Sequence, residues 1–421
     1  MTRQLDPTEI DLRLVLGLSG LQLIGWGSVF YGFSLFLSPV EAALLLSRGE
    51  SSLAFSLALL MEGLAAFHVG RWIDRGHEQR VMTWGSVIVG TGFVAQAFIE
   101  HAWQFHAAWA CMGLGLSATL YPPAFAVLTR RFPTQFRRAI IILTFLGGLA
   151  STVFIPLIAW CMQVSDWRTT SLVLGALHLL VCAPVHHRLL RNAPPARRQA
   201  ASASDAERST HAVRKDAHAH AVNPLHHHLR DRTFWLIGVC VVLLMAVTAA
   251  LPAHMINLLR ESGLPESWVL GLPALIGVLQ VLGRAVLFVA EHRLDVHRVN
   301  RWVPCLIPLG LALLWLSAAS PVWATVGVLA FVWVYGLGNG MFTIVKGTVV
   351  AQYISQAHVG SLNGAIGVPM ALARAGAPWV MGLMWSPAIG YQDSVLLMLV
   401  LAMIGVAALW VAQRRVLRRA A

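Results

Sequence analysis

Apolar runs recur along the 421 residues at 14–38, 51–69, 81–100, 103–129, 139–162, 169–187, 233–256, 268–290, 302–319, 322–352, 361–385 and 394–412. Runs of this kind cross a hydrocarbon core of about 30 Å as helices, and no soluble domain has use for so many. Within a bilayer every backbone N–H and C=O must be satisfied inside its own element, which selects helix for segments of this length. With 57% hydrophobic and only 12% charged residues and a mean hydropathy of +0.67, the chain is expected to be an all-α polytopic membrane protein with twelve transmembrane helices. The first run is longer than a signal-peptide core and lacks a small-residue cleavage site, so it is expected to be retained.

The net charge of +12 would suggest nucleic acid in a soluble protein, but here the arginines cluster between apolar runs. With the N-terminus inside, the inner loops collect Arg71, Arg75, Arg80, Arg130, Arg131, Arg137, Arg138, Arg293, Arg298, Arg301, Arg414, Arg415, Arg418 and Arg419. The outer loops hold only Arg48, Arg168 and Arg260. That asymmetry predicts both termini on the cytoplasmic side, with the bilayer and not nucleic acid as the partner of this basic chain. Of the 31 basic residues only Lys215 and Lys346 are lysine, a bias that points to a GC-rich bacterial genome and so to an inner membrane. Cys111, Cys161, Cys182, Cys240 and Cys305 stand singly within apolar runs, with no disulfide or zinc spacing.

Residues 1–190 form one candidate six-helix half and 233–421 another, joined by 191–232, which is rich in Ala, Pro, Ser, Arg and His and has no apolar periodicity. The joining segment reads as a disordered cytoplasmic linker. Its His211, His218, His220, His226, His227 and His228 are candidates for metal binding or pH sensing, although flexible His-rich tracts often do neither. No cofactor is called for.

Between the second and third runs lies Gly70-Arg71-Trp72-Ile73-Asp74-Arg75-Gly76, a glycine, an acid and arginines set abruptly between apolar stretches. Gly70 allows close helix approach, and Asp74 can cap a helix or pair with an arginine. The stretch resembles the loop signature of the major facilitator superfamily, Gly-x-x-x-Asp-Arg-x-Gly-Arg-Arg. Gly70, Asp74, Arg75 and Arg80 stand in register, while His77, Glu78 and Gln79 depart from it. The resemblance implies two six-helix bundles that rock about a central site, with Gly70, Asp74 and Arg75 as a gating motif.

A weak internal repeat agrees with it. Gly113-Leu-Gly115 in the fourth run matches Gly336-Leu-Gly338 in the tenth, and Pro156 in the fifth matches Pro378 in the eleventh at nearly the same offset. Tyr121-Pro122-Pro123-Ala124-Phe125, Gly147-Gly148-Leu149-Ala150-Ser151 with Pro156, and Asp166-Trp167-Arg168 look like the monocarboxylate-transporter and oxalate:formate-antiporter side of that superfamily. Membrane-helix packing accounts for most of the same residues: prolines bend helices and small residues let them approach.

Charges inside spans cost at least about 2.5–3.5 kcal/mol each and mark functional sites by default. Arg284 lies about 12 Å from the inner end of its helix, Lys346 about 13 Å and Arg374 about 20 Å, at 1.5 Å per residue. The one carboxylate well inside a span is Glu62. Three cations against one anion leave an excess of two positive charges, which an anionic substrate would neutralise. Snorkelling to the surface, or pairing of one cation with Glu62 as a gate, is the structural alternative. In the transporters that the chain resembles, basic residues on the eighth and eleventh helices hold substrate carboxylates, and Arg284 and Arg374 resemble these positions. Glu62 is the candidate proton carrier, since apolar surroundings raise a carboxyl pKa and nearby cations lower it; His68 and His254 come next. Tyr31, Tyr121 and Asn339 are candidate substrate contacts, with Thr144, Thr248, His254 and Thr343 as further polar partners. Trp26, Trp72, Trp103, Trp235 and Trp302 read as interface or packing residues.

No G-x-S-x-G, H-E-x-x-H or Walker-type phosphate loop occurs, which argues against an enzyme or an ATP-driven pump and leaves an ion or substrate gradient as the energy source. The leading expectation is a monomeric secondary transporter of a small organic anion, a mono- or dicarboxylate, driven by protons or by a counter-anion. Efflux of amphipathic drugs is the alternative, and a non-transporting membrane sensor a more distant one.

Overall fold

The structure, a computed structural model, describes residues 11–132, 134–191, 229–290, 293–317, 321–355 and 358–420. The His-rich linker lies outside these residues. The chain belongs to the all-helical class, and its described residues run through twelve long helices. In the first half these are α1 (Leu12–Leu44), α2 (Arg48–Asp74), α3 (Glu78–Ala97), α4 (Ala102–Arg131), α5 (Arg138–Val164) and α6 (Trp167–Leu189). The second half supplies α7 (Arg232–Glu261), α8 (Glu266–Ala290), α9 (Val296–Ser317), α10 (Pro321–Tyr353), α11 (Val359–Leu383) and α12 (Gln392–Ala420). All but α3 are apolar and long enough to span a membrane; α3 is a 20-residue helix whose first turn carries Glu78, Gln79 and Arg80.

Local chemistry sets the ends. Ser47 and Glu50 form a reciprocal capping box at the start of α2, and Asp166 and Asp295 cap α6 and α9. The backbone N–H groups of Thr169 on Asp166, and of Arg298 and His297 on Asp295, hold both carboxyls below the usual carboxylate range. Side chains facing away from the bundles are apolar and exposed, as Phe67, Leu180 and Val289 illustrate, because lipid is their solvent. Trp72, Trp103, Trp235 and Trp302 are also exposed near helix ends, the placement of an aromatic belt. Trp26 instead packs inside, against Phe30 and Tyr121.

Proline bends the helices where its missing N–H frees a carbonyl. Within α4, Leu120 breaks the helix just before Tyr121-Pro122-Pro123. Pro123 cannot donate to the Thr119 carbonyl, and the buried Gln22 amide of α1 donates to it at 2.6 Å.

Helices α1–α6 and α7–α12 form two bundles, and the glycine repeat shows how they correspond. A Cβ at Gly115 would lie 2.6 Å from the Gly85 carbonyl of α3, and one at Gly338 would lie 2.6 Å from Leu306 of α9. Gly113 abuts Ala58 of α2 and Gly336 abuts Leu279 of α8. These glycines let α4 and α10 sit against equivalent neighbours in their two halves.

The bundles meet through α2 against α11, α5 against α8 and α1 against α7. Along the α2–α11 seam the contact is unequal. Gly49 rests on Leu383, Gly382 on Arg48 and Ser52, and Gly63 on Ala371, whereas Gly70, Gly364 and Gly367 have nothing within 4 Å of a Cβ position. The seam is therefore closed at the end bearing the α1–α2 loop and parted at the end bearing the α2–α3 loop.

Two expectations for that second loop are corrected. Helix α2 continues through Gly70 to Asp74, and the chain turns at Arg75-Gly76-His77, with Gly76 at φ +88°. Gly70 makes no close helix approach, since nothing lies within 4 Å of its Cβ position. Asp74 is exposed and neither caps a helix nor forms an ion pair among the described residues.

Candidate functional site

The polar residues singled out in the sequence converge from both bundles on the region where the α2–α11 seam begins to part. Glu62, 8% exposed, projects from α2, and Arg374 of α11 brings Nη2 to 3.6 Å from its Oε2. The pair links the two bundles through an ion pair without close hydrogen-bond geometry: Glu62 Oε2 and Arg374 Nε are buried with no hydrogen-bond partner. Lys346 on α10 is near enough to both Arg374 and Arg284 to be repelled by them.

Arg284 is 7% exposed and does not snorkel. Its Nη1 donates to the Thr144 carbonyl of α5 at 2.6 Å, and its guanidinium packs against Gly148, where the α5 helix is interrupted at Leu149. A Cβ at Gly148 would lie 2.8 Å from Val281 Cγ2 and 3.1 Å from Arg284 Nη1, so a larger residue there would displace these side chains. The same guanidinium interacts with the Tyr121 hydroxyl, which lies over Gly147, and Tyr121 stacks on Phe125. Tyr31 hydrogen-bonds Gln280, and with Asn339 and Tyr335 these residues line a small cavity between the bundles, about seven residues deeper along α10 than Lys346.

The structure thus gathers Glu62, Arg284, Lys346, Arg374, Tyr31 and Tyr121 about one region, with Asn339 beside it. Of the three cations Arg374 pairs with Glu62, Arg284 is held by the Thr144 carbonyl, and Lys346 stands near both arginines. Of the further candidates, Thr144, Thr248 and Thr343 bond carbonyls of their own helices. His68 is exposed and forms no ion pair among the described residues, and His254 is fully buried at the closed end.

Two networks were not foreseen. Glu78, one of the three residues that depart from the loop signature, is fully buried. It lies 3.3 Å from Arg130 Nη1 and 2.5 Å from Arg131 Nη2 at the end of α4. Arg131 also donates to the Leu190 carbonyl, and Arg130 to that of Ile73, so one carboxylate and its two arginines tie together α2, α3, α4 and α6 at the end bearing the α2–α3 loop. In the second half Asn300 and Tyr353 occupy the corresponding places and hydrogen-bond at 3.3 Å, a neutral version joined by Gln413 and His297. The signal in the sequence is the repeat itself, since Glu78 maps onto Asn300 at the offset of the prolines and Arg130 onto Tyr353 at that of the glycines. The other network closes the opposite end: Arg48 of α2 pairs with Glu41 at 2.8 Å, donates to the Tyr391 hydroxyl at 2.5 Å and stacks over Trp385 at 4.8 Å. Nothing in the sequence brings residues 48 and 391 together.

Two membrane bundles joined along three helix pairs, closed at one end over a polar, charged cleft, are the architecture of a membrane transporter. The chain belongs to the major facilitator superfamily, whose sequence profile matches residues 18–378. It is 24% identical over 163 residues to the uncharacterized MFS-type transporter YcxA of Bacillus subtilis (strain 168), a match covering 38% of this chain and 40% of that protein. Its fold is similar to that of the nucleoside transporter NupG, with a TM-score of 0.69 and 14% identity over 96% of this chain and 99% of that one. It is equally similar to a bacterial homolog of the human lysosomal transporter Spinster in an inward-facing, occupied conformation, with a TM-score of 0.71 and 14% identity over 96% and 97% of the two chains. The peptide transporter POT in complex with alafosfalin gives a TM-score of 0.68 at 14% identity, covering 97% of each chain.

Proposed function

We propose that this transporter carries a small organic anion, a mono- or dicarboxylate, across a bacterial inner membrane by alternating access. The observation that supports this reading is the gathering of Arg284, Lys346 and Arg374 from three helices, where Glu62 on Arg374 is the one carboxylate paired with any of them among the described residues. An uncompensated charge of +2 in a membrane interior is costly, and a bound carboxylate offsets it while accepting charge-assisted hydrogen bonds. In this reading Arg374 binds the substrate carboxylate and Glu62 holds Arg374 when no substrate is present. Either protonation of Glu62 or arrival of the anion frees the guanidinium, which couples transport to protons or to a counter-anion. Arg284 supplies the second contact from a position fixed by the Thr144 carbonyl, with Tyr31, Tyr121 and Asn339 orienting the rest of the ligand. The arginine-rich ends are taken as cytoplasmic, so that the parted side of the cleft faces inward. The test is uptake of labelled mono- and dicarboxylates into proteoliposomes, with and without a pH gradient. Saturable carboxylate uptake supports the reading; none, with export of amphipathic cations instead, overturns it.

A further inference from the structure

The closed end of the transporter holds a chain of hydrogen bonds whose direction is fixed by chemistry. His254 of α7 is fully buried, with Nε2 at 2.9 Å from the Pro378 carbonyl of α11 and Nδ1 at 3.0 Å from the Tyr391 hydroxyl. A carbonyl only accepts, so Nε2 carries the proton and Nδ1 of the neutral ring accepts. Tyr391 therefore donates to His254. Its oxygen in turn accepts from Arg48 Nη1, at 2.5 Å. The chain reads Arg48 to Tyr391 to His254 to Pro378, each group donating to the next, and it ties α2 of one bundle to α7, α11 and the start of α12 of the other.

The charged surroundings come from several elements. Arg48 faces the ring from α2 through Tyr391, Glu41 of α1 holds Arg48 at 2.8 Å, and Ser51 donates to Glu41. From α7 itself comes Glu261, which accepts from Trp385 Nε1 at 2.8 Å, and Trp385 also carries the Arg48 guanidinium on its ring. Helix α11 contributes the Pro378 carbonyl to the ring.

We infer that His254 is a protonation site of the outer gate, and that adding a proton to its Nδ1 opens the gate. A protonated ring has two donors and no acceptor. The Tyr391 oxygen would then face donors on both sides, Arg48 and His254, while its own O–H loses its acceptor in a buried place. A second positive charge would also stand one hydroxyl away from Arg48. Relief of both strains is available by one movement, separation of α2 from α11 and α12, which is the opening of this end. Closure re-forms the chain only after Nδ1 gives up its proton. The inference rests on the transport reading for its choice of which side is outer, but it does not depend on the nature of the substrate.

The experiment measures the gate and not the cargo. Nitroxides are placed at Leu45→Cys in the α1–α2 loop and Ile389→Cys in the α11–α12 loop, both exposed, in a protein whose five native cysteines are replaced, and their separation is read by electron double resonance in nanodiscs without substrate. From about pH 8 to about pH 5, the range in which histidine changes charge, the long-distance population is expected to rise about tenfold or more. His254→Gln can accept from Tyr391 and donate to Pro378 but cannot titrate, so it should stay closed at both pH values. Tyr391→Phe removes the middle link and should be more open than the parent at pH 8, with a weaker pH response. A parent gate that does not respond to pH, or a folded His254→Gln protein that opens like the parent, overturns the proposal. Neither result touches the anion reading, which stands or falls on carboxylate uptake.

Discussion

Arg374 and Glu62 lie 3.6 Å apart on helices from opposite bundles, at the level where α2 and α11 begin to separate. The ion pair occupies the guanidinium that the proposed substrate needs. Glu62→Gln removes that competitor, and apparent affinity for a carboxylate should rise about three- to tenfold, equivalent to roughly 0.7–1.4 kcal/mol. Accumulation driven by a proton gradient should fall at the same time. Binding by titration calorimetry and uptake under an imposed gradient check the two halves separately; weaker binding in Glu62→Gln would contradict the competition.

Glu78 supports the α2–α3 end of the first bundle by pairing with both Arg130 and Arg131. Removing one partner of a buried ion pair typically costs about 3–5 kcal/mol, because the remaining charge stays desolvated. Glu78→Gln should therefore lower the melting temperature in detergent by several degrees, and Glu78→Gln with Arg131→Gln should recover part of the loss. Equal melting of parent and single variant would show the network to be dispensable.

How much of this could be read beforehand depended on the range of the interactions. Span number, helix class and repeat rest on local composition and on glycines that face fixed neighbours, so Gly113, Gly115, Gly336 and Gly338 carried them in the sequence. The gathering of Arg284, Lys346 and Arg374 followed from depth alone, since charges buried in a bilayer need a shared polar space. Their partners did not follow. Arg284 on the Thr144 carbonyl and Arg374 on Glu62 depend on how the two bundles are rotated against each other, and one chain carries no local trace of that angle. Gly70 was expected beside a neighbouring helix and Asp74 in a cap or ion pair, but Gly70 has open space around it and Asp74 is exposed, which again depends on how the two bundles are set against each other.

Asp74 is exposed and forms no ion pair among the described residues, so its loss should cost little stability. Asp74→Asn is expected to keep carboxylate affinity within about twofold, as surface substitutions usually do, and to reduce turnover. Parallel equilibrium binding and initial uptake rates test this; equal loss in both would place Asp74 in the substrate site.

The closed end depends on glycine. A Cβ at Gly382 would come within 2.7 Å of the Arg48 carbonyl, which belongs to the helix backbone and cannot yield as a side chain would. Gly382→Val should wedge α2 from α11, raise the reactivity of a cysteine placed at the closed end toward an impermeant thiol reagent, and slow transport. Unchanged labelling would mean that this seam closes in some other way.

The central claim is that the interior cations bind an anion, and the most direct test is the dissociation constant of the best-transported carboxylate in folded Arg284→Gln and Arg374→Gln proteins. Each substitution removes a charge-assisted hydrogen bond to a desolvated ligand, so affinity should fall roughly ten- to hundredfold, or about 1.5–3 kcal/mol. Arg374→Lys should retain part of it, keeping the charge but losing the fork. Unchanged affinity in both glutamine variants would contradict the account and leave the arginines as helix-joining residues only.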